Sequence, residues 1–225
     1  MLLYHGTKED NLEELLSAGI RPRMPGADGN FTGTTSYLKS KDGVVYLASW
    51  CPLQYATMAK GAGRPLILEV AFDRLCETNM LPDEDMLLHE LLRAEGVPQG
   101  PEYLKAFARR INEMEPRLHR ERWRELLDKG GSVAHEGVVP VAALTRYALL
   151  DLEKGPVFAE LVGAMLLRAR TGQSVRTIVC GLNDYIFEGN PALMLDGMIT
   201  SQAESLIANL TTEWPSCIHI VNLER

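Results

Sequence analysis

Apolar residues along this chain fall into two spacings. Short apolar runs bounded by glycine, proline or charge occupy residues 1–7, 43–48, 64–72 and 132–140, with another at 145–150, and runs of that length predict strands. Between them the apolar positions recur every three or four residues. Leu12, Leu15 and Leu16 line one face of a helix that the capping box Thr7-Lys8-Glu9-Asp10 starts and Gly19 stops. Residues 49–59 predict a second helix and residues 82–92 a third, with Asp83, Glu84 and Asp85 in its first turn, where the helix dipole favours acids. Residues 101–128 form a charged helical region with Tyr103, Phe107 and Trp123 at helical spacing, and a turn-helix over 138–144 leads into the 145–150 strand. Farther on, helical stretches at 158–170 and 191–210 and strands at 175–180 and 217–221 match no motif.

Composition narrows the class. A chain of 225 residues can bury one generous core, and no apolar run approaches a membrane span, so no membrane partner is expected. Leu2-Leu3 is followed at once by Tyr4-His5 and a charged helix start, unlike a removable leader, and a cytosolic location is expected. Cys51, Cys76, Cys180 and Cys217 lack paired spacing, which predicts reduced thiols rather than a zinc site or disulfides. The formal net charge of −7 argues against broad, non-specific nucleic-acid binding.

Three stretches carry candidate chemistry. At the end of the first strand stands His5-Gly6-Thr7, an imidazole beside a position where a missing side chain lets a flat ligand approach the backbone. The 43–48 run holds Tyr46-Leu47-Ala48, and the helix after it carries Tyr55. In 132–140 a carboxylate, Glu136, interrupts a strand-like run, with His135 beside it as the other polar candidate. The ordered set of His5, Tyr46 with Tyr55, and Glu136 resembles the His-Tyr-Glu branch of the ADP-ribosyltransferase superfamily, which includes the poly(ADP-ribose) polymerases and diphtheria toxin. This resemblance covers residues 1–150. Thr7 and Tyr46-Leu47-Ala48 fit the family pattern, Tyr55 follows at a somewhat shorter spacing than in the polymerases, and Glu136 is assigned by position and chemistry.

The resemblance implies an α+β fold: a split mixed β-sheet core with flanking helices over residues 1–150, and an α/β extension over 151–225. It also implies transfer of ADP-ribose from NAD, a co-substrate, to a macromolecular acceptor, protein or nucleic acid, with release of nicotinamide and no metal. Glu136 would stabilise an oxocarbenium-like state and hold the ribose 2′-hydroxyl. Tyr46 and Tyr55 would sandwich the nicotinamide, Gly6 would read its carboxamide, and His5 would bond the adenosine-side ribose. Residues 21–42, rich in Gly, Pro, Ser and Thr, predict a long loop that in such transferases lies over the NAD phosphates, making Arg21 and Arg23 candidate pyrophosphate contacts. Arg109, Arg110, Arg117, Arg120, Arg122 and Arg124 are candidates for the acceptor side. Two other outcomes are weighed: a tRNA 2′-phosphotransferase-like enzyme, which shares a similar His-Gly-Thr motif and uses NAD, and a catalytically silent NAD-binding or interaction module.

Overall fold

Residues 1–22, 24, 41–49, 53–98, 100–151, 187 and 218–223 are described in a computed structural model, which has an α+β architecture. In chain order the elements are β1 (Leu2–Lys8), α1 (Leu12–Ala18), β2 (Val44–Ala48), α2 (Leu53–Met58), β3 (Pro65–Ala71), β4 (Met80–Pro82), α3 (Glu84–Ala94), α4 (Pro101–Arg110), α5 (Trp123–Gly130), β5 (Ser132–Glu136), β6 (Leu144–Leu150) and β7 (Ile218–Asn222). They fall into two compact units that interleave along the chain: residues 1, 13–49 and 71–143, and residues 2–12, 50–70 and 144–225. Among the described residues, no helix is long and apolar enough to cross a membrane.

In the first unit the strand order is β4–β5–β2. Both pairings are antiparallel, with Val44 opposite Glu136, Tyr46 opposite Ala134, and Leu81 opposite Ala134. Residues directly opposite share a face, so Val44, Tyr46, Ala134, Leu81 and Glu136 stand on one side and Val45, Leu47, Met80, Val133 and His135 on the other. The helices supply a second layer of core, in which Leu87, Leu88 and Leu92 of α3 meet Tyr103, Phe107, Ile111, Met114 and Leu126. The three- and four-residue spacing of those side chains is what aligns them on facing stripes. Helix α5 packs on β4 and β5 and ends at Gly131, whose left-handed φ of 75° turns the chain into β5.

Gly19 closes α1 in the same way, at φ 79°, and does more than end a helix. The next residue, Ile20, exchanges backbone hydrogen bonds with Val139 at 2.9 and 3.0 Å, and a Cβ on Gly19 would lie 2.2 Å from the Val139 carbonyl oxygen. Only glycine permits that approach and that φ together.

The second unit has the order β1–β3–β6–β7, with β6 antiparallel to both β3 and β7. Every residue of β3 is buried, as its apolar run predicts, and Glu69, which interrupts that run, is buried with it. Glu69 accepts from Thr145 Oγ1 at 2.6 Å and Arg146 Nε at 2.8 Å, which removes the cost of an unpaired internal charge. Helix α2 packs on β1, and Lys8 Nζ donates to the Thr57 carbonyl at 3.1 Å. Phe187 stacks on Tyr4 with ring centroids 5.4 Å apart, and the Arg146 guanidinium lies over its ring.

Two expectations change. Where a mixed sheet was expected, the pairings β2–β5, β4–β5, β3–β6 and β6–β7 are all antiparallel; strand direction follows from tertiary connections, which an apolar run does not encode. The expected capping box is also replaced. Residues Glu9–Asn11 form a 3-10 turn, Glu9 pairs with Arg64 at 2.6 Å, Asp10 accepts from the Ala62 amide at 2.8 Å, and Thr7 accepts from Asn11 Nδ2 at 3.0 Å. Partners some fifty residues away claim the acids that a local cap would use. The 217–221 strand is present as β7, while the stretches at 158–170, 175–180 and 191–210 lie outside the described residues.

Gly19→Ala tests the Ile20–Val139 junction. The left-handed backbone alone costs about 1–2 kcal/mol for an L-residue, and displacement of the Val139 carbonyl adds to it. A clear drop in the thermal midpoint, followed by circular dichroism, is the expected outcome.

Candidate active site

Tyr46 and Glu136 come together in the first unit. They are diagonal neighbours on the same face of β2 and β5, about 7–8 Å apart in an ordinary ladder. The Tyr46 ring packs against Val44, Leu81 and Ala134, all buried. Its hydroxyl accepts from the Lys41 amide at 2.9 Å and donates to Glu84 Oε1 in a short hydrogen bond. Burial, then the carboxylates of Glu84 and Asp83, push the Tyr46 phenol well above its ordinary value, so it stays protonated and works as a donor. Ala48, the last residue of β2, lies opposite Ser132.

The partner of Tyr46 belongs to a polar junction that opens α3. Asp83 is the N-cap: its Oδ1 accepts from the Asp85 amide at 2.9 Å and the Met86 amide at 3.4 Å, while Oδ2 accepts from Ser132 Oγ at 2.5 Å. Glu84 follows, 4% exposed, with Oε2 buried and without a hydrogen-bond partner among the described residues. Burial and the neighbouring Asp83 raise its carboxyl to about 8, and burial likewise raises Asp85 to about 7. At neutral pH Glu84 is therefore predominantly a neutral acid, the form whose burial costs least. The sequence suggested a dipole role for these acids. What it missed is that one of them grips Tyr46. No group of three or more His, Cys, Asp or Glu side chains among the described residues is arranged to hold a metal ion.

Glu136 occupies the end of β5 with its side chain 35% exposed, rather than interrupting a buried run. Arg117 Nε donates to its Oε1 and Arg120 Nη2 to its Oε2, both at 2.7 Å. Arg120, then Arg117, hold the carboxyl below the usual carboxylate range. His135, pointing to the opposite face, is 2% exposed; burial lowers its imidazole, and its Nε2 has no partner among the described residues. It is a core residue.

The arginine-rich region is laced with ion pairs. Arg110 pairs with Glu95, Arg117 with Glu136 and Glu115, Arg120 with Glu136, Arg122 with Glu125, and Arg124 with Glu77. Arg124 also lies over the Trp123 ring, 5.0 Å from its centroid. Acids both within this stretch and on other elements pair with these five arginines.

The remaining candidates lie on other elements. His5, Gly6 and Thr7 lie on β1 in the second unit, half-buried, and Tyr55 lies on α2, which packs on that strand and leaves the ring 40% exposed. Arg21 is exposed and paired with Glu14 at 3.0 Å. Arg23 lies outside the described residues. Besides Glu84, sequence reasoning missed Glu69, a second strand-borne acid, and the link from Arg117 and Arg120 to Glu136. The alternation of Glu69 within an apolar run was the signal available for the first; nothing local signals the second.

No protein-family model matches the chain, and no curated protein matches it. Among solved structures it is similar to EcPltA at 11% identity, over 66% of this chain and 75% of that chain, with a TM-score of 0.36, too low to define the fold.

Glu84 makes stability depend on pH in a direction that can be checked. Its folded value of about 8 exceeds the ordinary 4.5, so its contribution is complete below pH 4.5 and is lost as pH rises through 8. Glu84→Gln keeps an acceptor for Tyr46 and abolishes that loss, leaving the smaller one from Asp85. Urea unfolding at pH 6 and pH 8.5 should show the wild type losing more stability than the variant, by at least about 1.4 kcal/mol, the equivalent of one pKa unit.

Proposed function

We propose that this chain is an NAD-dependent ADP-ribosyltransferase that moves ADP-ribose to a macromolecular acceptor and releases nicotinamide. Support comes chiefly from Tyr46 and Glu136, which stand on one face of two paired strands, each within the stretch that resembles the family motif. His5-Gly6-Thr7, on a strand of its own, adds to it.

The chemistry suits these groups. The bond between nicotinamide and ribose C1′ breaks with its electron pair leaving on the nicotinamide nitrogen, the acceptor nucleophile forms the new bond to C1′, and the acceptor loses its proton. An ionised carboxylate such as Glu136 stabilises the positive charge that develops on the ribose and accepts from its 2′-hydroxyl. A ring fixed like that of Tyr46 offers a flat apolar face at little entropic cost.

Nicotinamide release from NAD by the purified protein tests the proposal. Glu136→Gln should lower turnover by about a hundredfold or more with little change in NAD affinity, because the lost interaction is made chiefly in the transition state. The same change weakens two ion pairs, so the thermal midpoint moves whatever the role of Glu136, and turnover is the measurement that decides. NAD binding without release, by wild type, would identify a silent module; removal of a 2′-phosphate from RNA would identify the phosphotransferase.

Tyr46 separates ring from hydroxyl. Tyr46→Phe should leave NAD affinity near wild type while costing stability of about 1–3 kcal/mol, the penalty of leaving Glu84 without its donor. Tyr46→Leu should weaken NAD binding as well. Titration calorimetry and urea unfolding on both variants check the split, and equal affinities for Phe and Leu would remove the ring from the nicotinamide site.

A further inference from the structure

The grip on Glu136 has more parts than a surface ion pair requires. Each carboxylate oxygen receives one guanidinium nitrogen, at 2.7 Å, and among the described residues its other acceptor position is unfilled. Both arginines come from the short segment Pro116–Arg122, Arg117 before and Arg120 after its kink at His119. Arg117 is held in turn by Glu115 Oε1 at 3.2 Å. Arg120 is held by backbone: its Nη1 donates to the Thr78 carbonyl in a short bond and to the Met80 carbonyl at 3.4 Å. Two arginines and two glutamates cancel in formal charge, so the cluster adds little net field at a nearby ligand. What it does add is direction. A guanidinium with its fork pinned to fixed carbonyls sets the plane of the carboxylate it holds.

We propose that Arg117 and Arg120 are positioning residues for Glu136, with Arg120 the principal one, fixing the plane of its carboxylate and leaving an acceptor position on each oxygen for a ribose hydroxyl. This rests on the assignment of the chain as an ADP-ribosyltransferase. The charged groups around the carboxylate agree with it: Arg120 and Arg117 from that segment keep it ionised, Glu115 binds the far side of Arg117, and His135, next on the strand, is directed to the other face with its imidazole lowered by burial. Pairing of such partly exposed side chains stabilises a fold only modestly, which leaves orientation as the larger consequence.

The test is the kinetics of nicotinamide release from NAD across pH for wild type, Arg120→Gln, Arg120→Lys, Arg117→Gln and Glu136→Gln. Arg120→Gln should lower kcat about tenfold with the KM for NAD nearly unchanged, since orientation of Glu136 matters in the transition state. The acid limb of its kcat profile should move up by about one pH unit, the usual effect of removing one cation beside a carboxylate. Arg120→Lys restores charge without the fork, so it should recover the acid limb and leave kcat low. Arg117→Gln should show a smaller change of the same kind. Wild-type kcat and acid limb in folded Arg120→Gln, alongside an inactive Glu136→Gln, would overturn the positioning role and leave the transferase assignment standing; if Arg120→Gln does not fold, wild-type kcat in Arg120→Lys and Arg117→Gln does the same. Full turnover in Glu136→Gln, or none in wild type, would remove the transferase assignment and this role together.

Discussion

The start of α3 is where the first unit is tied together. Asp83 caps the helix through one carboxylate oxygen and takes Ser132 of β5 through the other, and Glu84, one residue on, takes the hydroxyl of Tyr46 from β2. Two successive acids thus join a helix to two strands from different parts of the chain. Burial of such groups is costly unless every polar atom is answered or the charge is removed, and here both remedies are used: Asp83 is hydrogen-bonded on each oxygen, and Glu84 retains its proton. The Tyr46 ring is held as a consequence, packed on Val44, Leu81 and Ala134 from below and anchored at its tip.

Three glutamates illustrate how environment assigns a role to one residue type. Glu69 is buried in β3 and answered by Thr145 and Arg146 from the neighbouring strand, which makes it a structural member of the second unit. Glu84 is buried and, among the described residues, shares only one oxygen with a partner, a setting that favours the neutral acid. Glu136 is half-exposed, ionised and gripped by two guanidinium groups at the end of its strand. Of the three, only Glu136 combines a charge at neutral pH with access from solvent, and that combination is what electrostatic stabilisation of a developing cation requires.

In the proposed reaction the same grip would oppose as well as support the chemistry. Cations beside a carboxylate reduce its pull on a second positive charge, so a carboxylate flanked by Arg117 and Arg120 gives up some electrostatic strength. In exchange its orientation is set and its carboxyl is held below the usual carboxylate range. Glu115 moderates the balance by binding the far side of Arg117.

The sequence by itself determined most of the strands and helices, though not β4, because that information is local. The apolar runs of β2 and β3, the acids opening α3 and the glycines ending α1 and α5 are each legible within a few residues. It also singled out His5, Tyr46 and Glu136 and their separate strands. Tertiary structure alone decided who meets whom: that Tyr46 is answered by Glu84 thirty-eight residues on, that Glu136 is held by Arg117 and Arg120, that Glu9 abandons a helix cap for Arg64, and that Arg110 and Arg124 pair with Glu95 and Glu77. The physical reason is that periodicity reports only which face of an element is apolar. The partner of a charged or polar side chain depends on strand register, strand direction and helix docking, which arise from contacts between segments far apart in the chain.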